Sequence, residues 1–146
     1  MTASIAPRMD RPTTLRFGGA DVRPCARHLA TVVSVRGDLT ADNIAAVTDQ
    51  VCRFVLPDTS FVLDLTELTA FTREAAAMLR AVEHTCAATE VEWALVTAPG
   101  TTETFDTALR DLLLPVVDSV ADALHDFADT RTAQRSALLP LLQRTA

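Results

Sequence analysis

The chain has no lysine and no tyrosine, so all 13 of its basic residues are arginine. Without lysine there can be no P-loop amine and no Schiff base. Without tyrosine there is no phenolic acid or base. Cys25, Cys52 and Cys86 are the only cysteines. They form no CxxC or metal-ligand spacing, and an odd number cannot all pair within one chain. His28, His84 and His125 lie far apart, with no HxH or HxxxH pair. No metal and no cofactor is therefore expected. Nor does any apolar run approach the roughly 20 residues of a membrane span. The first residues, interrupted by Arg8, Asp10 and Arg11, contain no apolar h-region. Free thiols and a cytoplasmic location are the resulting expectations. The balance of 13 basic against 19 acidic residues gives a net charge of −6. With no basic cluster to displace counterions, nucleic acid is not an expected partner. The arginine-only, alanine-rich usage points to a GC-rich genome, such as an actinobacterial one.

What is present is enough apolar residues, 49% of the 146, for one core. Residues 1–16 have few core formers and read as a flexible lead. Residues 20–27 fit an edge strand, where Pro24 is tolerated, and 29–36, LATVVSVR, a β-branched strand. Thr40 is placed to cap a helix with Ile44, Val47, Thr48, Val51 and Val55 on one face. The runs SFVLDL and EWALVT read as buried parallel strands. Between them, Thr72 caps a second helix with the stripe Ala75, Met78, Leu79, Val82 and Cys86. A third helix is expected over 102–111, a short strand at Val116 and Val117, and a last helix capped by Ser119, with Asp122 three residues on. Strands alternating with helices after an opening β pair predict an α/β domain over 17–129. Its sheet would be mixed and mainly parallel, with about four or five strands and about four helices. Residues 130–146, interrupted by Pro140, are expected to form a C-terminal extension.

Three segments in order resemble STAS domains. VSVRGDLT, ending at Thr40, is similar to the family's V-x-G-E-L-D turn. VLDLTELT, ending at Thr69, resembles its central strand, and LPVVDSVADAL, ending at Leu124, its closing segment. The resemblance spans about 20–127. It implies a STAS-like fold and a non-catalytic regulator of the anti-sigma factor antagonist type. Such a protein binds an anti-sigma factor or a related serine-kinase-like protein, and the kinase reverses binding by phosphorylating a serine at the start of the second helix. Counting on from Asp64, that loop falls on Thr72-Arg73-Glu74-Ala75, and the acceptor position is Glu74, which has no hydroxyl. The last acidic position of the turn motif is Thr40.

Three readings of this loop stand open. Glu74 could substitute permanently for a phosphate, since a carboxylate near a helix N-terminus is favoured by the same dipole. The switch could have moved to the Thr72 hydroxyl. Or Thr72 is an ordinary N-cap and Glu74 an ordinary first-turn acid, which accounts for both residues. The expected partner surface comprises Thr40, Thr69, Thr72, Arg73, Glu74, Ala77 and Arg80.

Other chemistry is thinner. His84 and Cys86 sit two apart on one helix and face different ways. Cys86 lies on the apolar stripe, whereas Cys25 or Cys52 would have to carry any redox switch. Asp64 and Glu67 lie near a strand end, where open α/β sheets bind ligands, yet Asp64 matches a pattern residue and reads as structural. Trp93 reads as core. The alternative functions are a nucleotide-sensing STAS domain, disfavoured by the scarcity of glycine in the strand-end turns, and a self-associating homodimer joined through 131–146.

Overall fold

The computed structural model describes residues 13–27, 30–105 and 107–144. Its elements run β1 (Leu15–Phe17), β2 (Ala20–Arg27), β3 (Ala30–Gly37), α1 (Ile44–Arg53), β4 (Ser60–Asp64), α2 (Arg73–Thr89), β5 (Trp93–Val96), a 3-10 turn (Thr101–Thr104), α3 (Thr107–Asp111), β6 (Val116–Val117) and α4 (Val120–Arg144). The six strands form one sheet in chain order. β1, β2 and β3 pair antiparallel, and β3 to β6 pair parallel. This is the expected mixed, mainly parallel α/β sheet with four helices.

The strands carry the two-residue alternation of a sheet packed on both sides. Val33, Val35, Phe61, Leu63, Trp93 and Leu95 point to the side closed by α1, α2 and α3. There they join Val47, Val51, Met78, Leu79, Val82 and Leu109 in the larger core. Parallel strands joined by right-handed crossovers place their connecting helices on one side, which explains this crowding. The intervening residues Ala30, Val32, Val62, Ala94 and Val96 face the other way. They pack against Ala123 and Phe127 of α4 in a smaller cluster, with Cys25, Val117, Val120 and Leu124 at its margin.

Several expectations need correction. Leu15 and Arg16 of the expected lead form a strand with Phe17, and the side chains of Leu15 and Phe17 pack on the larger core. Residues 1–12 of the expected lead lie outside the described residues. β1 pairs β2 only from Ala20 to Val22, so Pro24 does lie on an unpaired edge. The third helix is divided: Phe105 turns into the core between the 3-10 turn and α3. The final helix does not stop before Arg131, and α4 continues to Arg144.

Two boundaries follow from single residues. Ser119 caps α4, its Oγ accepting from the Asp122 N–H at 3.0 Å. α2 ends with Glu90 in a left-handed conformation (φ 60°), and the Val91 N–H reaches back to the Cys86 carbonyl at 2.9 Å. This is a Schellman-type end built without glycine.

Candidate partner-binding site

The site is assembled at the C-terminal ends of β3, β4 and β5. Gly37 closes β3 at φ +92°, and a Cβ there would meet the Gly19 carbonyl oxygen at 2.2 Å. Only glycine fits this approach. Gly37 also joins two loops. Its N–H donates to the Glu67 carbonyl at 3.2 Å, and its own carbonyl accepts from the Thr69 N–H at 2.9 Å. The resulting bridge to Leu68 continues the parallel pairing beyond the strands proper. The turn after β3 and the loop before α2 are thereby one surface.

Asn43, 7% exposed, fixes the first of these. Its side-chain NH₂ donates to the carbonyls of Phe17 and Asp38, both at 2.9 Å, and its Oδ1 accepts from the Thr40 N–H at 2.9 Å. A buried amide with its donors and acceptor engaged contributes rigidity without an unpaired polar cost. The role expected of Thr40 changes accordingly. Thr40 does not cap α1, which begins at Ile44 after Asn43. It opens the preceding turn, where its Oγ1 accepts from the Asn43 N–H at 3.3 Å. Asp64 ends β4 by accepting from the N–H and the hydroxyl of Thr66 at 3.0 and 2.7 Å, a structural role as expected. A third loop is drawn in by Phe71, whose ring lies 4.9 Å from that of Phe105.

Thr72 caps α2, its Oγ1 accepting from the Ala75 N–H at 3.3 Å. Glu74 is half-buried in the first turn, where its charge is favoured by the helix dipole. Arg73, Ala77 and Arg80 are exposed at i, i+4 and i+7 of α2 and so form one stripe. Thr40 and Thr69 are exposed on the adjoining loops. The candidate residues thus occupy one end of the sheet and the adjoining side of α2.

One feature escaped the sequence reading. Ala77 faces α1, and with Ile44, Ala45, Thr48, Asp49 and Cys52 it lines an open groove of about 460 Å³.

The described cysteines and Trp93 are engaged in packing and hydrogen bonds. Cys86 is 1% exposed, and burial, with Glu83 and Cys52 adding, pushes its thiol from 9.0 up to about 12. It is core, as expected. Cys52 is half-buried and receives the Thr85 hydroxyl at 3.4 Å, and Cys25 is half-buried in β2. Trp93 is 8% exposed, and its indole N–H donates to Glu83 at 2.7 Å. His28 lies outside the described residues. Among the described residues, no group of three or more His, Cys, Asp or Glu could hold a metal ion. No described helix is long and apolar enough to cross a membrane.

Comparison with known proteins agrees with this architecture. Osmosensory protein A of Mycobacterium tuberculosis is 38% identical over 134 residues, covering 89% of this chain and 85% of that protein. The crystal structure of an anti-sigma factor antagonist from Mycobacterium paratuberculosis superposes with a TM-score of 0.58 over 80% of this chain and 94% of its own. At 21% identity, that likeness speaks for the fold. The family model described as the STAS domain matches residues 24–123, which hold the strand-end loops, the capped α2 and the closing segment. The chain belongs to the STAS domain family, and its sequence is similar to that of osmosensory protein A.

Proposed function

We propose that this chain binds an anti-sigma factor or a related kinase-like protein through the surface formed by Thr40, Thr69, Thr72, Arg73, Glu74, Ala77 and Arg80, without the serine switch that the resemblance to the family implies. The observation that carries this reading is the stitching of the post-β3 and post-β4 loops by Gly37. It presents both loops and the start of α2 as one rigid patch. Rigidity matters because a partner then gains contacts without ordering the loops first.

Within the patch, Thr72 spends its hydroxyl oxygen on the Ala75 N–H, and Glu74 supplies one fixed negative charge. Phosphoserine would supply nearly two, and reversibly. Occupancy of the surface is then governed by partner concentration, not by phosphorylation at position 74. The name of the mycobacterial relative suggests an osmotic input, which we extend to this chain.

Affinity purification of the full chain from its native host tests the reading. A kinase-type anti-sigma protein should be recovered with the parent chain and lost with Glu74→Arg, while Arg23→Glu, on the opposite side of the sheet, should leave recovery intact. Recovery of no such protein, or of the same set with Glu74→Arg, would overturn it.

A further inference from the structure

The two sides of the sheet are covered unequally. α4 packs over Val62, Ala94 and Val96 and over the first half of β3, at Ala30 and Val32. The rest of β1, β2 and β3 on that side carries a different residue class. By alternation it presents Arg16, Asp21, Arg23, Ser34 and Arg36, in register as Arg16 opposite Asp21, Asp21 opposite Arg36 and Arg23 opposite Ser34. Asp21 lies 3.9 Å from the Arg16 guanidinium and 3.2 Å from that of Arg36. The two arginine side chains remain 80% and 54% exposed, and Arg23 is exposed as well. Asp64, at the β4 margin, is turned to Thr66. In a chain of net charge −6, this half of the sheet is a local concentration of guanidinium groups.

The complementary surface lies on the same side of the same molecule. Asp122, Asp126 and Asp129 are exposed at i, i+4 and i+7 of α4, a single acidic stripe turned away from the buried Ala123 and Phe127. His125 Nε2 lies 3.3 Å from the Asp129 carboxylate. Half of this side of the sheet thus has a helix over it with an acidic outer edge. Among the described residues the other half has no helix over it and is arginine-rich, so its profile is a step.

We propose that two copies of this chain interlock at these steps. The acidic stripe of α4 in each copy, Asp122, Asp126 and Asp129, would rest on Arg16, Arg23 and Arg36 of the other. A two-fold axis lying between the facing sheets and parallel to the strands achieves this. It carries the helix-bearing half of one copy onto the bare half of the other, and the reverse. The contact is isologous, so each charge pairing occurs twice and the assembly closes at two. It uses the side of the sheet opposite α1 and α2, so the candidate partner site stays open in both copies.

Sedimentation velocity of the full chain over a concentration series is the test. The chain should dimerise at about 50 mM salt and shift markedly towards monomer at about 500 mM, where the Debye length is short. Arg23→Glu/Arg36→Glu and Asp122→Arg/Asp126→Arg should each weaken the homodimer by about tenfold or more, because each places like charges at both copies of the contact. Mixed one to one, the two variants should associate again, since every contact in the heterodimer is then between opposite charges. Far-ultraviolet circular dichroism confirms that each variant is folded. A chain monomeric throughout the series at low salt overturns the proposal. So does a dimer indifferent to both variants, as joining through 131–144 would give, or a mixture that does not recover.

Discussion

On the side of the sheet closed by α1, α2 and α3, fully buried Phe61, Leu63, Met78, Leu79 and Leu95 interlock with helix stripes. The strand-end loops above them are held by backbone bonds through Gly37. On the α4 side, one helix meets a smaller cluster, and the remaining strands carry charge. The difference separates two ways of making a surface. Where packing is dense, loop geometry is set by the core beneath it, and a change in the core propagates to the site. Where strands are bare, side chains can be exchanged with little cost to the fold, and selection can act on charge alone.

Substitutions can break this contrast or sharpen it. Phe61→Ala removes a ring from the dense side and should lower unfolding free energy by about 4 kcal/mol, against about 3 kcal/mol for Phe127→Ala under α4, both read by urea denaturation. Equal losses would contradict the asymmetry. Gly37→Ala should cost about 3 kcal/mol, because a Cβ must displace the Gly19 carbonyl while adopting φ near +92°. Amide exchange at Thr69 should accelerate with it, and an unchanged Thr69 would separate the two loops after all. Thr72→Ala should cost about 1 kcal/mol and Thr72→Ser much less, with loss of protection at Ala75 in the first only. Arg23→Glu, on the bare half, should change stability by less than about 0.5 kcal/mol.

A pH series probes the same dense side. The Cys86 thiol has its pKa raised on folding, so its neutral form belongs to the native state. Its contribution is complete below the unfolded value of 9.0 and is lost as pH rises from there towards about 12. Cys86→Ala should flatten that alkaline decline, read by urea denaturation across the pH series.

The sequence was legible where one physical signal acted alone. The buried strands 60–64 and 93–96 are continuous apolar runs, and the Thr72 and Ser119 caps stand directly before helical stripes. It was misread where two signals competed. Thr40 and Asn43 are both cap-forming types; Asn43 takes the position before α1, yet its side chain makes no cap bond and reaches Phe17 instead, a contact distant in sequence. β1 is three residues long between polar residues and Gly18, so its pairing with β2 leaves no periodicity to read. The groove beside Ala77 depends on how closely α1 and α2 approach, which neither helix encodes by itself. Glu74 stands in the first turn of α2, just after the Thr72 cap that the sequence marks.

The bond from the Trp93 indole to Glu83 has a spectroscopic consequence. Trp93 is the chain's single tryptophan, and with no tyrosine its emission is the only strong intrinsic fluorescence available. It joins β5 to α2, the helix whose other end carries Thr72 and Glu74. Any partner that tilts or loosens α2 alters the polarity and quenching around that one ring. The ring is therefore an intrinsic optical reporter of the position of α2, readable in real time without a label.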